Sequence, residues 1–298
     1  MKVLVTGASG FLGGHIVETI RSFGKVIATY FSAQPENVAT GIIWRRLNVA
    51  DSDSVFELFD AERPKVVLHA AAMAGISKCE SHPDDASRVN VAGTANVAGA
   101  AKEFGAYMIL MSTDMVFDGE KAPYTEESSP NPLFVYGRTK LEAEAQCPPE
   151  ALVARLALCF GRSLNPMRAT FFEEALGKIA IGREALFFED EWRAPLWAGD
   201  LGRLMPMLLD LRPAGILHIG GPQRMTRLDM GRRACNILGQ DVSFVKALSR
   251  SDVPGPPRPR DLTFDTSRLK ELFPGFRFTA FEEAVRISFG SRSNRASP

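Results

Sequence analysis

Three observations predict an α/β fold: a doubly wound parallel sheet with helices on both faces, followed by a smaller, mixed α/β C-terminal lobe. Short aliphatic runs of strand length alternate with helix-period segments through the first half of the chain. A glycine-rich turn, "TGASGFLGG" (6–14), stands directly between the first run and the first amphipathic segment. The second half is more irregular, with shorter candidates and a proline-rich stretch.

The strands expected in the first half are "KVLVT" (2–6), "KVIATY" (25–30), "KVVLHAA" (65–71), "YMILMS" (107–112) and "ALVARLAL" (151–158), with a further candidate ending just before Asn48. Their near-continuous aliphatic character is that of strands buried on both faces. Helices are expected at 11–23, 52–61, 84–104 and 134–146. Such alternation implies parallel strands joined by right-handed crossovers. Further on, helices are expected near 168–181, 199–211 and 226–238, and strands at 185–188, 215–219 and 242–246. "VPGPPRPRD" (253–261) holds too many prolines for a helix or a sheet interior and reads as a loop. The expected division is a dinucleotide-binding domain over 1–160, a substrate lobe over 161–290 and a flexible tail over 291–298.

Bulk properties narrow the function. The 298 residues are 45% hydrophobic with zero formal net charge, enough for a sizeable core but no support for a nucleic-acid or membrane-surface partner. No apolar run reaches the roughly 18 residues of a membrane span. "MKVLVTGASG" reads as a strand entering a turn rather than a signal peptide. Four scattered cysteines without CxxC spacing point to reduced thiols and a cytoplasmic protein. The four histidines do not pair at metal-ligand spacing, so no metal site is expected.

Gly7, Gly10 and Gly13 follow a strand and open a helix. Gly7 permits a tight turn, Gly10 lets backbone approach a pyrophosphate, and Gly13 lets helix pack close on strand. The free N–H groups and positive dipole end of that helix suit phosphate. This is the physics of a Rossmann-type dinucleotide site, with Ser9, Phe11 and Leu12 in the same turn. An acid at the end of the second strand would bind the adenosine ribose diol, but "IATYFSAQ" places none at Thr29, Tyr30, Phe31 or Ser32. NADP(H) is therefore favoured, with Tyr30 beside the ribose and Ser32 or the Arg45–Arg46 pair meeting a 2′-phosphate; NAD(H) is the alternative. Asn48 and Val49 are placed to flank the adenine.

"VYGRTKLEAE" sets Tyr136 and Lys140 four apart on an expected helix, hence on one face. A phenol near pKa 10 is a poor acid at neutrality, and a neighbouring ammonium would lower it. Tyr136 is then the candidate proton donor to a carbonyl, tuned by Lys140.

On these residues the chain resembles the extended short-chain dehydrogenase/reductases, and within them the dTDP-4-dehydrorhamnose reductase branch. The matching pieces are "TGASGFLG" (6–13), "HAAAMAGISKCESHPDDASRVNVAGTANVA" (69–98), "MSTDMVFDG" (111–119), "YTEESSPNPLFVYGRTKLEAE" (124–144), "GDL" (199–201) and "PPRPRDLTFDTSRL" (256–269). The resemblance implies a Thr113–Tyr136–Lys140 triad, hydride transfer from a nicotinamide, and a nucleotide-linked deoxysugar or related carbonyl as substrate. It implies that Ala70, Ala71 and Ala72 lie against the cofactor, that Asn90 supports the catalytic loop, and that Ser112 helps through its backbone. It also implies a substrate pocket formed by Met73, Ala74, Met115, Phe117 and Leu158, with Trp192 and Arg193 (and Trp197) reaching in from the other lobe. A homodimer is left open.

The departures lie in that pocket. Met115 stands where the family usually has tyrosine, Ala74 where it has threonine, Ser77 where it has aspartate and Leu158 where it has tryptophan. A less polar or differently shaped carbonyl is the expected consequence. Two alternatives are an epimerase or dehydratase of the same class and a non-catalytic regulatory subunit resembling the methionine adenosyltransferase beta subunit. A dehydratase would want a Glu beside Asp114, where Met115 stands; the intact triad argues against the regulatory reading.

Overall fold

The computed structural model describes residues 1–32 and 41–290. The expected flexible tail, 291–298, and the last residues of "IATYFSAQ" lie outside the described residues.

The first half builds β1 (Lys2–Thr6), α1 (Phe11–Ile20), β2 (Lys25–Tyr30), β3 (Ile42–Arg46), α2 (Ser52–Glu62), β4 (Val66–His69), α3 (Ile76–Ser81), α4 (Pro83–Ser87), α5 (Gly93–Glu103), β5 (Tyr107–Thr113), α6 (Val135–Glu144) and β6 (Leu152–Leu156). There follow β7 (Cys159–Phe160), α7 (Phe171–Ala180), β8 (Ala185–Phe188), β9 (Trp192–Arg193), β10 (Leu196–Trp197), α8 (Ala198–Leu211), β11 (Gly215–Ile219), β12 (Met225–Thr226), α9 (Arg227–Leu238), β13 (Val245–Leu248), α10 (Ser267–Leu272) and α11 (Phe281–Phe289).

Seven strands form one parallel sheet in the order β11-β6-β5-β4-β1-β2-β3. Strand order reverses between β1 and β4, so the crevice outside their C-terminal ends is where a doubly wound sheet takes its ligand. Thr6, His69 and Thr113 end three neighbouring strands at this edge.

Each face of the sheet carries its own core. Val3, Val5, Ile109, Leu152 and Leu217 meet α1 and α8 on one side. Leu4, Ile27, Val67, Met108 and Leu110 meet α2 and α5 on the other. Each such side chain, taken fully out of water, contributes about 1.5–3 kcal/mol before conformational entropy is counted. A third core lies in the second half, around Phe160, Phe172, Phe187, Met230 and Val285. The chain does not leave the sheet for good after β6. Helix α8 packs on α1, and β11 extends the sheet beside β6.

Two expected elements differ in detail. The helix expected at 84–104 is interrupted by a π-helical turn, Arg88–Ala92, between α4 and α5. The strand expected at 242–246 begins as a 3₁₀ turn, Val242–Phe244, and the strand itself runs 245–248 beside β8. Asp241 opens that turn by accepting the Ser243 N–H, a short-range competition that β-branched composition does not reveal.

Candidate active site

The glycine turn is set by close backbone contacts. Gly7 takes φ 66°, and a Cβ there would lie 2.6 Å from the Ala71 backbone. A Cβ on Gly13 would lie 2.2 Å from the Gly7 carbonyl oxygen. No side chain caps α1, and the N–H groups of Phe11, Leu12 and Gly13 meet no acceptor among the described residues. Bare backbone donors at a helix N-terminus fit a pyrophosphate.

A buried polar chain links this turn to the helix of Tyr136. Thr6 Oγ1 lies 2.6 Å from His69 Nδ1, and His69 Nε2 lies 3.1 Å from Thr94 Oγ1. Thr94 donates to the Asn90 carbonyl at 2.6 Å. A hydroxyl has one proton, so His69 Nε2 must be the donor to Thr94, and Nδ1 accepts from Thr6. His69 is thus a neutral imidazole of fixed tautomer. Burial, with the nearby Lys140 charge acting the same way, holds its pKa down at about 3.

Asn90 lies in the π-helical turn, a device common at functional sites. It accepts the Met73 N–H at 2.8 Å and donates to the Met73 carbonyl at 3.1 Å. It also donates to Thr139 Oγ1 at 3.0 Å, and Thr139 donates to the Tyr136 carbonyl at 3.1 Å. Through these bonds one amide clasps the loop after β4 and helix α6.

Helix α6 is seated from three sides. Glu80 of α3 accepts the Val135 N–H at 2.7 Å, placing a carboxylate at the helix N-terminus. Gly137 packs directly on the turn after β5, where a Cβ would lie 2.1 Å from the Met115 carbonyl oxygen. The third side is the Asn90–Thr139 bond. The Tyr136 phenol is thereby set beside Thr113 at the end of β5. Lys140, one turn along, is 2% exposed and makes no hydrogen bond among the described residues.

The electrostatics depart from the sequence expectation. Burial lifts the Tyr136 phenol well above its ordinary value, against the lowering effect of the Thr113 hydroxyl. Asp114 pushes it the same way as burial. Lys140 is not what dominates the phenol, because desolvating a phenolate costs more than these neighbours return. Burial also lowers Lys140 itself to about 8, with Glu144 opposing.

Glu144 was absent from the sequence-derived site. It is one turn beyond Lys140 and chelates Arg155 of β6, receiving Nε at 3.0 Å and a terminal guanidinium nitrogen at 2.7 Å. The Ser112 hydroxyl also donates to it. The available signal was a lone Arg inside the apolar run "ALVARLAL", since a buried charge must find a partner.

Asp114 is buried, with Oδ2 accepting no hydrogen bond among the described residues; burial pushes its pKa up to about 6. Arg193 approaches it at 4.0 Å. Arg193 itself is bonded to Glu191 at 3.3 Å and to the Trp192 carbonyl at 2.7 Å. Arg193, 4% exposed, thus spends two of its five donors inside the protein rather than standing free at the pocket. Glu191, fully buried, also holds Arg227 at 3.2 Å and Arg258. Three guanidiniums around one carboxylate leave this corner positive.

Other expected positions fall as follows. Phe117, expected in the substrate pocket, is 1% exposed and stacks on Tyr124 at 4.0 Å within a separate core. Burying that ring is worth more than exposing it at the pocket. Met115 and Leu158 are half-buried, Met73 is buried in a small cluster with Tyr136, and Ala74 is exposed. Trp192 is half-buried under the Arg224 guanidinium at 3.8 Å, whereas Trp197 bonds Ser288 and packs into the second-half core. Ala70 and Ala71 are half-buried and Ala72 exposed beside the glycine turn. Val49 packs on Gly93, and exposed Asn48 bonds the Ala50 N–H. Tyr30 lies against Trp44. Arg45 is paired with Glu62 at 2.9 Å, so it does not join Arg46 as a phosphate partner. A separate cleft of about 820 Å³, bordered by Gly221, Arg224, Phe264, Lys270 and Phe278, is lined by none of the triad.

The family model described as RmlD substrate binding domain matches residues 1–291. The chain belongs to this family. Among relatives of this chain, the probable low-salt glycan biosynthesis reductase Agl14 of Haloferax volcanii is 30% identical over 91% of each chain. The methionine adenosyltransferase 2 subunit beta of Bos taurus is 30% identical over 96% of this chain and 86% of its own. A solved structure described as a hypothetical dTDP-4-dehydrorhamnose reductase from Sulfolobus tokodaii superposes with TM-score 0.84 at 28% identity, covering 95% of this chain and 99% of that one. The fold is thus shared over 95% of this chain. Among the described residues no helix is long and apolar enough to cross a membrane, and no cluster could hold a metal.

Proposed function

We propose that this RmlD-family protein is an NAD(P)H-dependent reductase of a keto group on a nucleotide-activated deoxysugar or a related polar carbonyl. The observation that carries the reading is the seating of α6 on the turn after β5, which sets half-buried Tyr136 beside Thr113 with buried Lys140 one turn along the same helix. The bare donors of the glycine turn and the absence of an acid at the end of β2 fit a nicotinamide dinucleotide, with NADP(H) favoured. That cofactor supplies the hydride. The protein's part is to hold and polarise the carbonyl. Tyr136 donates to the carbonyl oxygen and passes its proton there as negative charge develops, and Thr113 joins it by turning its one proton from Asp114 Oδ1 to that oxygen. The Lys140 ammonium stabilises the phenolate left behind.

The positive corner around Glu191 supports an anionic substrate, with Arg227 and Arg258 nearer solvent than Arg193. The free state of all four cysteines fits a cytoplasmic protein. Consumption of NADPH with a panel of nucleotide-linked 4-ketosugars and simple ketones tests the activity; no oxidation with any of them would overturn it. A second reading, a cofactor-binding regulatory subunit, is favoured by the bovine relative. A stable complex with a larger enzyme, unaffected by Tyr136→Phe, would select it. An epimerase is the outcome if the purified protein carries NAD that dialysis does not remove.

Met115→Tyr places a phenol on the turn that α6 packs against. The expected result is a changed ranking of carbonyl substrates by kcat/KM with dinucleotide affinity retained. An unchanged ranking would retire Met115 as a selector.

A further inference from the structure

We propose that Arg168, carried across the glycine turn by the strap 162–168, selects a 2′-phosphorylated dinucleotide, with Arg46 and Ser32 as its partners. The inference rests on the reading that a nicotinamide dinucleotide binds at that turn, and it names the residues that would choose between the two dinucleotides.

The strap leaves β7 and is tied back onto the first lobe at two points. The Arg162 carbonyl lies 3.0 Å from His15 Nε2 on α1. Asn165 Nδ2 donates to the Ser9 carbonyl, inside the glycine turn, at 2.8 Å. Asn165 Oδ1 then accepts the Met167 N–H at 3.1 Å and opens a 3₁₀ turn, Pro166–Arg168. Proline at the start of that turn fixes its φ. Ser163 is held in turn by Glu173 of α7, at 2.9 Å from its N–H. The strap is therefore anchored at both lobes before it delivers Arg168.

Arg168 ends 3.4 Å from Ser32 Oγ, at the exit of β2. Arg46, opposite Tyr30 in the β2–β3 register, bonds the Phe31 carbonyl through Nε at 3.3 Å. Both guanidiniums are exposed, and neither forms an ion pair with a carboxylate of the described residues. The exit of β2 is where a doubly wound sheet meets the adenosine ribose. Two guanidinium forks are matched to a phosphate dianion and have much less to gain from a neutral 2′-hydroxyl. The same rim exposes Phe31 (57%), Leu164 (52%) and Met167 (87%), an unusual amount of apolar surface around two cations. An adenosine whose ribose carries a 2′-phosphate offers a flat base to the apolar surface and an anion to the two cations.

The test is direct binding to the purified protein, with NADPH and NADH followed by fluorescence and 2′,5′-ADP and 5′-AMP as competitors. Arg168→Ala, an exposed position, is expected to weaken NADPH and 2′,5′-ADP by about tenfold or more, the scale of a charge-assisted hydrogen bond to phosphate. NADH and 5′-AMP should stay within about twofold, since they lack the group being read. Arg46→Ala should act in the same direction. Equal losses for both dinucleotides, or no loss for either, would overturn the assignment while leaving the glycine turn as the dinucleotide site. If the unaltered protein binds neither dinucleotide, the assignment and the reading beneath it fall together.

Discussion

Replacing Tyr136 with phenylalanine is expected to lower turnover by ~10²-fold or more, the usual worth of a positioned general acid. The ring volume is kept, so the cluster around Met73, Cys79 and Val135 stays packed. The Thr113 hydroxyl also keeps partners, since it donates to Asp114 Oδ1 at 3.2 Å and accepts the Met115 N–H at 3.2 Å. Dinucleotide affinity and melting temperature should therefore stay near those of the unaltered protein, and the loss should appear in kcat. Turnover within a few fold of the parent would show that the proton comes from elsewhere. The parent's own pH profile carries the companion signal. Lys140 is held at about 8 by burial, so kcat/KM, which reports the free enzyme, should fall as pH rises through that value and the ammonium is lost. A profile flat into strong alkali would remove the Lys140 charge from the rate.

Glu144→Ala is expected to cost stability on a scale unusual for one substitution. It leaves the Arg155 guanidinium 2% exposed and without its carboxylate, a situation that costs about 3–5 kcal/mol. Urea unfolding should show the loss as a lower midpoint with an unchanged slope. Pairing it with Arg155→Met, which removes the stranded charge and fills the space with apolar atoms, should recover much of the loss. A single-variant loss below about 1 kcal/mol would mean that the pair is not the buried anchor it looks like. The same substitution reaches the site. Glu144 is the group that holds the Lys140 pKa up against burial, so its removal should move the alkaline fall in kcat/KM to lower pH.

Much of this was legible from residue order. The strands of the sheet are short aliphatic runs, the glycine turn announces itself by spacing, and Tyr136 and Lys140 share a face because four residues make about one helical turn. What was misplaced involved choices between surroundings. Phe117 follows Thr113 so closely that a pocket position looked natural, yet its ring turns into a core shared with Tyr124, His218 and Phe264. Arg45 and Arg46 are neighbours in sequence, but strand alternation sends one to Glu62 and leaves the other beside Phe31.

Three polar residues within apolar strands carried an unread signal. His69, Arg155 and His218 had to be satisfied by something, and the sequence showed the need without showing the partner. Thr94, Glu144 and the Tyr124 carbonyl answer it in part, since Arg155 and His218 each keep one buried nitrogen without a hydrogen-bond partner among the described residues.

The sequence by itself determined the doubly wound sheet, the dinucleotide turn and the tyrosine–lysine helix, because those depend on periodicities and spacings within a few residues. The tertiary structure alone decided which charges are stranded, which are neutralised and which remain free. Glu144 meets Arg155 only where a helix packs beside a strand, while Arg227 and Arg258 on Glu191 and Arg168 above Ser32 depend on chain closure over 36, 67 and 136 residues. Desolvation, which sets the titration of Tyr136, Lys140 and Asp114, exists only once that closure has excluded water.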